Sequence, residues 1–200
     1  MTESPFTRAS LVMRLRDRED VDAWGDFVSD YGPMLYRFVR SRGLQDADAS
    51  DVVQDVMRSV GMAIGKLEYA KEKGGFRAWL FTICRSKLAT HFEKRKRNAP
   101  TANDTAQYEL LEQESSGESE LDARWELEYQ RQLAADALKA LQPTIEPNTW
   151  AAFELTAMEG KSADEAGKEI GMSKGAVYVA RSRVTAKLRT AIQQRIDEEV

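Results

Sequence analysis

The sequence predicts an all-α protein: two small helical domains joined by an acidic flexible linker, the C-terminal one containing a helix-turn-helix. Three observations carry that prediction. Apolar residues recur at three- and four-residue spacing on both sides of the chain's middle, as in helices that each bury one face. Between them, residues 98–124 hold seven acidic side chains and a single basic one, with Pro100, Gly117 and several Ser, Thr and Asn. Such a composition is too polar to bury a core and predicts a mobile or only partly helical segment. Near the C-terminus, residues 162–188 read as two short helices joined by a tight turn. The expected domains are therefore 1–97 and 124–200, with 98–123 as the tether.

In chain order, Leu11, Val12 and Leu15 place a short amphipathic helix over Thr7 to about Arg18. A second opens near Asp20 or Asp22 and carries Trp24, Phe27, Val28 and Tyr31 on one face. At Gly32-Pro33 a kink or a restart is expected, because a mid-helix proline removes a hydrogen bond and clashes with the preceding turn. Met34, Leu35, Phe38 and Val39 continue the stripe, and Gly43 closes it. The next helix, capped by Asp46 or Asp48, should bury Val52, Val53, Val56, Val60, Ala63, Ile64 and Leu67. Asp51, Gln54, Asp55 and Arg58, spaced i, i+3, i+4 and i+7, form a polar stripe opposite, either a solvated face or a docking edge. After a polar loop, EYAKEKGG, a long helix from about Phe76 to Arg97 repeats Phe76, Trp79, Leu80, Ile83, Cys84, Leu88 and Phe92 at helical spacing. Its end, Lys94, Arg95, Lys96 and Arg97, suits a phosphate contact or a solvated helix terminus equally.

Beyond the tether, Trp125, Tyr129, Leu133, Ala137, Leu138 and Leu141 make an amphipathic face up to Pro143. A further helix runs from Pro147 through Met158, with Gly160 ending it. In the last motif Ser162 is an N-cap residue, Asp164 and Glu165 suit a helix N-terminus, and Gly171 supplies a left-handed stop. Ser173 caps the next helix, Lys174 to about Arg195, which has six basic residues and no acid. Val177, Ala180, Val184 and Leu188 should face inward, with Lys174, Tyr178, Arg181 and Ser182 outward. An exposed, purely basic second helix is the geometry that enters a DNA major groove, while two amphipathic helices with a glycine turn also occur as an ordinary helical hairpin; the charge asymmetry and the glycines Gly167 and Gly175 favour the first reading. Gly167 falls where closely paired helices need a small residue, and Gly175 where backbone could approach a ligand.

Composition narrows the function classes. Of 200 residues, 42% are hydrophobic and 31% charged, enough apolar side chains for a packed core. No apolar run approaches the ~20 residues of a membrane span, and the start MTESPFTRAS has no apolar signal core, so a cytoplasmic protein without membrane insertion is expected. Cys84 and His91, each the sole residue of its type, allow neither a disulfide within the chain nor a thiolate–imidazole metal cluster, and both read as core or boundary side chains. No catalytic constellation and no Gly-rich phosphate loop is legible, so neither enzymatic activity nor a cofactor is expected. The net charge of −4 is unevenly spread: acids crowd the middle and the last few residues, bases crowd 85–97 and 174–195.

Taken in order, these segments resemble the bacterial RNA polymerase sigma factors of the extracytoplasmic-function (ECF) group, over nearly the whole chain. DADASDVVQDVMRSV is similar to the polymerase-docking helix, GGFRAWLFTICRSKLATHFEKRKR to the adjoining helix with its Phe-Arg-x-Trp-Leu core, and SADEAGKEIGMSKGAVYVARSRVTAKL to the C-terminal helix-turn-helix. The resemblance implies that residues 1–97 are sigma domain 2 and 124–200 sigma domain 4. Asp51, Gln54, Asp55 and Arg58 would meet the coiled coil of the largest subunit of core RNA polymerase, and the second domain its flap. The loop before Gly75 and the helix after it would hold the promoter's minus-10 element as it melts, through Arg77, Trp79, Arg85, Lys87, Lys94, Arg95, Lys96 and Arg97. The linker would thread past the RNA path. Ser173, Lys174, Tyr178, Arg181, Ser182 and Arg183 would read the minus-35 element, and an anti-sigma partner often accompanies such factors. Gly167 stands where many members have alanine, and Tyr178, Val179 and Ala180 where residues are often polar or basic, so the bases read do not follow from the resemblance. The rival is a stand-alone helix-turn-helix regulator with an N-terminal sensing or dimerisation domain, which would not need the stripe at Asp51, Gln54 and Asp55.

Overall fold

Local chemistry sets the helix ends in the computed structural model, which describes residues 9–67, 75–97 and 118–198. The first helix, α1 (Ala9–Arg14), ends well before Arg18. Arg14 turns both guanidinium donors onto Asp20, at 2.8 Å each, and Asp20 also accepts from the Ala23 N–H at 2.9 Å to cap α2 (Val21–Arg40). The expected restart at Pro33 does not occur, and α2 runs through it. Pro33 is exposed, while Phe27, Tyr31, Met34, Leu35, Phe38 and Val39 are buried on either side of it and hold the two halves against one core.

α3 (Asp46–Ala63) is not capped by an aspartate side chain. Gln45 stands at the N-cap without a side-chain hydrogen bond, and Asp46 and Asp48 lie in the first turn, where negative charge favours the helix dipole. Ala49, Val52, Val56 and Val60 are buried, and Ile64 is buried in a single tighter turn, Ile64–Lys66; Val53, Ala63 and Leu67, expected inside, are half-buried. α4 (Gly75–Arg97) buries Phe76, Leu80, Cys84, Leu88 and Phe92. Phe27, Tyr31 and Phe76 form an aromatic triangle, with ring centroids 5.2, 5.9 and 5.5 Å apart, and α3 packs on both α2 and α4. Burial pushes the Cys84 thiol up to about 12, which makes it an inert core side chain.

The tether departs from its expected bounds. Residues 98–117 lie outside the described residues, and α5 (Glu118–Leu141) begins before the expected domain start at 124. The described chain divides between Gln132 and Leu133, inside α5, so the division at 123/124 is not where the structure places it. The physical reason is burial: Leu121, Trp125 and Tyr129 belong to the core of the first unit.

In the second unit, α6 (Pro147–Phe153) starts on Glu146, whose carboxylate accepts from the N–H groups of Asn148 and Thr149 at 3.0 and 2.8 Å. It widens into a π-helical turn, Glu154–Met158, and stops at Gly160, φ +74°. α7 (Ala163–Ile170) and α8 (Lys174–Glu198) follow, and both pack on α6 and on each other. One core cluster joins Ala152, Leu155, Ala163, Ala166, Val177 and Ala180; another joins Trp150, Phe153 and Val184 with Leu138, Ile145 and Leu188 around them.

Candidate polymerase and nucleic-acid interfaces

Val52, Val56 and Val60 of α3 face inward, which turns Asp51, Gln54, Asp55 and Arg58 outward, and all four are exposed. Arg58 donates to Asp55 at 2.6 Å with both side chains more than half accessible. The same face continues one turn on to Met62, which is 62% exposed, so a partner would meet charge and amide groups beside one large apolar side chain on a rigid helix.

On α4 the eight expected minus-10 residues do not share one face. At about 100° per residue, Trp79, Lys87, Lys94 and Arg97 fall on one side, and Arg77, Arg85, Arg95 and Lys96 on the other. Trp79 is half-buried, its ring 5.5 Å from Phe76. Arg85, Lys94, Lys96 and Arg97 are exposed and Lys87 is half-buried. Arg95 is not an open cation: it pairs with Asp48 on α3. Burial draws the nearby His91 below its ordinary value, so this histidine does not add to the positive charge at neutral pH.

Arg77 is held more completely than any pattern in the sequence suggests. It pairs with Glu126 on α5 and stacks over the Tyr129 ring, 4.0 Å from its centroid. One turn along α4, Phe81 meets Trp125 at 5.0 Å, and Phe38 of α2 meets the same indole edge-on at 5.2 Å. Beside it Arg37 donates to Glu128 at 2.8 Å and to Gln132 at 2.7 Å, and Arg124 reaches back to the Ser41 carbonyl at 3.4 Å. Sequence periodicity marks Trp125 and Tyr129 as an apolar face but gives no partner for them, and it does not point to Arg37, Phe81, Glu126 or Glu128.

The second unit shows helix, turn and helix at residues 163–198 with local chemistry in agreement. Ser162 and Glu165 make a reciprocal capping box, and Gly171 ends α7 at φ 71°. Ser173 accepts from the Ala176 N–H at 3.2 Å and so caps α8. A Cβ on Gly167 would lie 2.5 Å from the Met172 carbonyl oxygen, so an alanine here would require the backbone of the turn to shift. At Gly175 the corresponding position meets nothing within 4 Å. Val177, Ala180 and Val184 are buried and Ser173, Lys174, Tyr178, Arg181, Ser182 and Arg183 are exposed; at about 100° per residue Lys174, Tyr178, Arg181 and Ser182 share one face, while Arg183 lies opposite Lys174. Val179 is exposed as well, beside Tyr178. Among the described residues no salt bridge holds Lys174, Arg181 or Arg183, although Asp164 lies within electrostatic reach of Lys174, so this end of α8 offers a polyanion cations outside any ion pair.

An all-helical protein with a capped helix-turn-helix and a basic helix in each of two units falls in the class of nucleic-acid-binding regulators. Residues 27–98 match the family described as Sigma-70 region 2. The chain is 30% identical over 176 residues to RNA polymerase sigma factor NccH of Alcaligenes xylosoxydans xylosoxydans, covering 87% of this chain and 89% of that protein. It is 29% identical over 182 residues to ECF RNA polymerase sigma factor ShbA of Streptomyces griseus subsp. griseus, covering 88% and 90%. RNA polymerase sigma factor CnrH of Cupriavidus metallidurans is 29% identical over 172 residues, at 83% and 84%. A solved structure of CnrH in complex with the cytosolic domain of CnrY aligns with 22% identity and a TM-score of 0.36, covering 92% of this chain and 96% of that one. The chain belongs to the RNA polymerase sigma factors of the ECF type, proteins that bind core RNA polymerase and promoter DNA and direct promoter-specific initiation of transcription. No helix among the described residues is long and apolar enough to cross a membrane.

Proposed function

We propose that the two units divide promoter recognition between them, the first serving as sigma domain 2 and the second as sigma domain 4. The observation that carries this reading is the pair of basic helices, α4 and α8, one in each unit, with a charged stripe on α3 beside the first. Asp51, Gln54, Asp55 and Arg58 dock on the coiled coil of the largest polymerase subunit. The cations of α4 take the minus-10 strand as it opens, with Trp79 near the start of the helix and Lys94 to Arg97 at its end supporting the phosphates. The exposed face of α8 enters the major groove of the minus-35 element, with Lys174, Arg181 and Arg183 supplying phosphate or guanine contacts and Tyr178 and Ser182 meeting base edges. The second unit also meets the polymerase flap, and the residues between α4 and α5 follow the RNA path. The protein acts in the cytoplasm with the polymerase and catalyses no step of its own.

Run-off transcription tests the reading directly. Purified protein added to core polymerase and a library of promoter fragments should give specific transcripts, and the combined substitution of Asp51, Gln54 and Asp55 by alanine should abolish them by removing polymerase binding. Tight binding to duplex DNA without polymerase, together with no polymerase binding, would overturn it.

A further inference from the structure

The first half of α5 is laid against the first unit in a way that copies the chemistry of a single DNA strand. A strand offers flat rings for stacking and anionic oxygens at intervals. Here the Trp125 indole lies on Phe81 and edge-on to Phe38, Glu126 pairs with Arg77, and Glu128 accepts from Arg37 at 2.8 Å. Trp125 is 4% exposed, and its indole nitrogen has no hydrogen-bond partner among the described residues, so the ring is held by its faces and edges alone. Beside the buried Leu121, Trp125 and Tyr129, the contact is closed by two arginines, and arginine pairs as readily with a phosphate as with a carboxylate.

We infer that Arg37, Phe38, Arg77 and Phe81 form a single-strand binding surface on the first unit, and that the α5 segment bearing Trp125, Glu126 and Glu128 occupies it in the free protein as a nucleic-acid mimic. The inference rests on the proposed minus-10 role of α4 and extends it in two respects. It adds Arg37 and Phe38 of α2 and Phe81 of α4 to a site that the resemblance places on the loop before Gly75 and on α4. It also makes strand binding compete with α5, because the same guanidiniums and rings cannot serve both occupants. Arg77, the shared residue, is the point at which the two states exclude each other.

The test uses the full-length protein and a fluorescent single-stranded oligonucleotide carrying a minus-10 sequence. Glu126→Gln combined with Glu128→Gln keeps the size of both side chains and removes the charges, and should tighten oligonucleotide binding by about tenfold at constant salt. Adding Arg37→Ala should reverse the gain. In the unsubstituted protein, amide hydrogen exchange over residues 121–132 should accelerate when the oligonucleotide is added, a readout that does not depend on any variant folding. Oligonucleotide binding that leaves protection at 121–132 intact, or a double variant with unchanged affinity, overturns the inference. Failure of the minus-10 reading itself looks different: polymerase loaded with the protein would then give no promoter-specific strand opening, whatever α5 does.

Discussion

α4 and α8 are both long helices rich in arginine and lysine, yet they treat those cations in opposite ways. Along α4 the protein answers positive charge with its own carboxylates: Glu126 holds Arg77 and Asp48 holds Arg95. Along the first turns of α8 the acids of the second unit are engaged elsewhere, Asp164 with Lys168 at 2.9 Å and Glu169 with Lys161 at 2.8 Å. Lys174, Arg181 and Arg183 stay outside these pairs. A basic helix is therefore not by itself an open nucleic-acid surface. One of these helices presents its charge; the other keeps part of it covered.

Substitution of Trp125 should break that contrast most strongly. Trp125→Ala removes a buried indole from between two phenyl rings and should cost about 3–5 kcal/mol locally, the usual range for large aromatic truncations. Amide exchange should then show residues 121–132 unprotected while α8 keeps its protection. Gly167→Ala works on the other side. Its Cβ would meet a backbone carbonyl rather than a flexible side chain, and overpacking of that kind costs about 1–3 kcal/mol. Denaturant unfolding should report the loss in the second unit, with the first unit's midpoint unchanged.

The exposed face of α8 is probed by Lys174→Ala and Arg181→Ala in the polymerase-bound protein. If the side chain neutralises a phosphate, its removal should reduce the slope of log affinity against log salt by about 0.9. If it reads a base edge, its removal should cost about 1–3 kcal/mol at one promoter position. Promoter affinity and salt slope unchanged in both variants would remove α8 from the minus-35 role. The smallest effect concerns the cap of α7. Hydrogen bonds from the Ser162 hydroxyl, and then from its backbone N–H, hold the Glu165 carboxyl below the ordinary 4.5 of a glutamate. A lowered folded value means the stabilisation is fully present above about pH 4.5 and fades as pH falls through the folded value below it. Glu165→Gln can keep the box and lose the titration, so thermal unfolding of the second unit should become flatter with acid.

The helix-turn-helix was legible because each of its determinants is local. Ser162 and Glu165 stand three residues apart, Gly171 needs only its own backbone angle, and Ser173 caps the helix that begins beside it. The inward set Val177, Ala180 and Val184 follows from one period. The outward stripe on α3 was legible for the same reason. The placing of α5 was not. Composition through 124 reads as tether, and nothing near Glu128 or Gln132 in the chain announces that their partner is Arg37, 91 and 95 residues earlier. Pro33 shows the converse: a local rule predicted a kink or a restart, and α2 runs on without restarting, with buried residues on both sides of the proline.

Pattern along the chain was thus enough for the helical class, the family resemblance, most of the buried stripes and the exposed faces of α3 and α8, all of which depend on residues within a few turns of one another. Where the first unit ends, which α4 cations are covered, and that Trp125 and its neighbouring glutamates lie on the first unit were settled by packing in three dimensions. Those outcomes depend on pairings across most of the length of the domain, and periodicity along one helix can show that a face will be buried but not what will bury it.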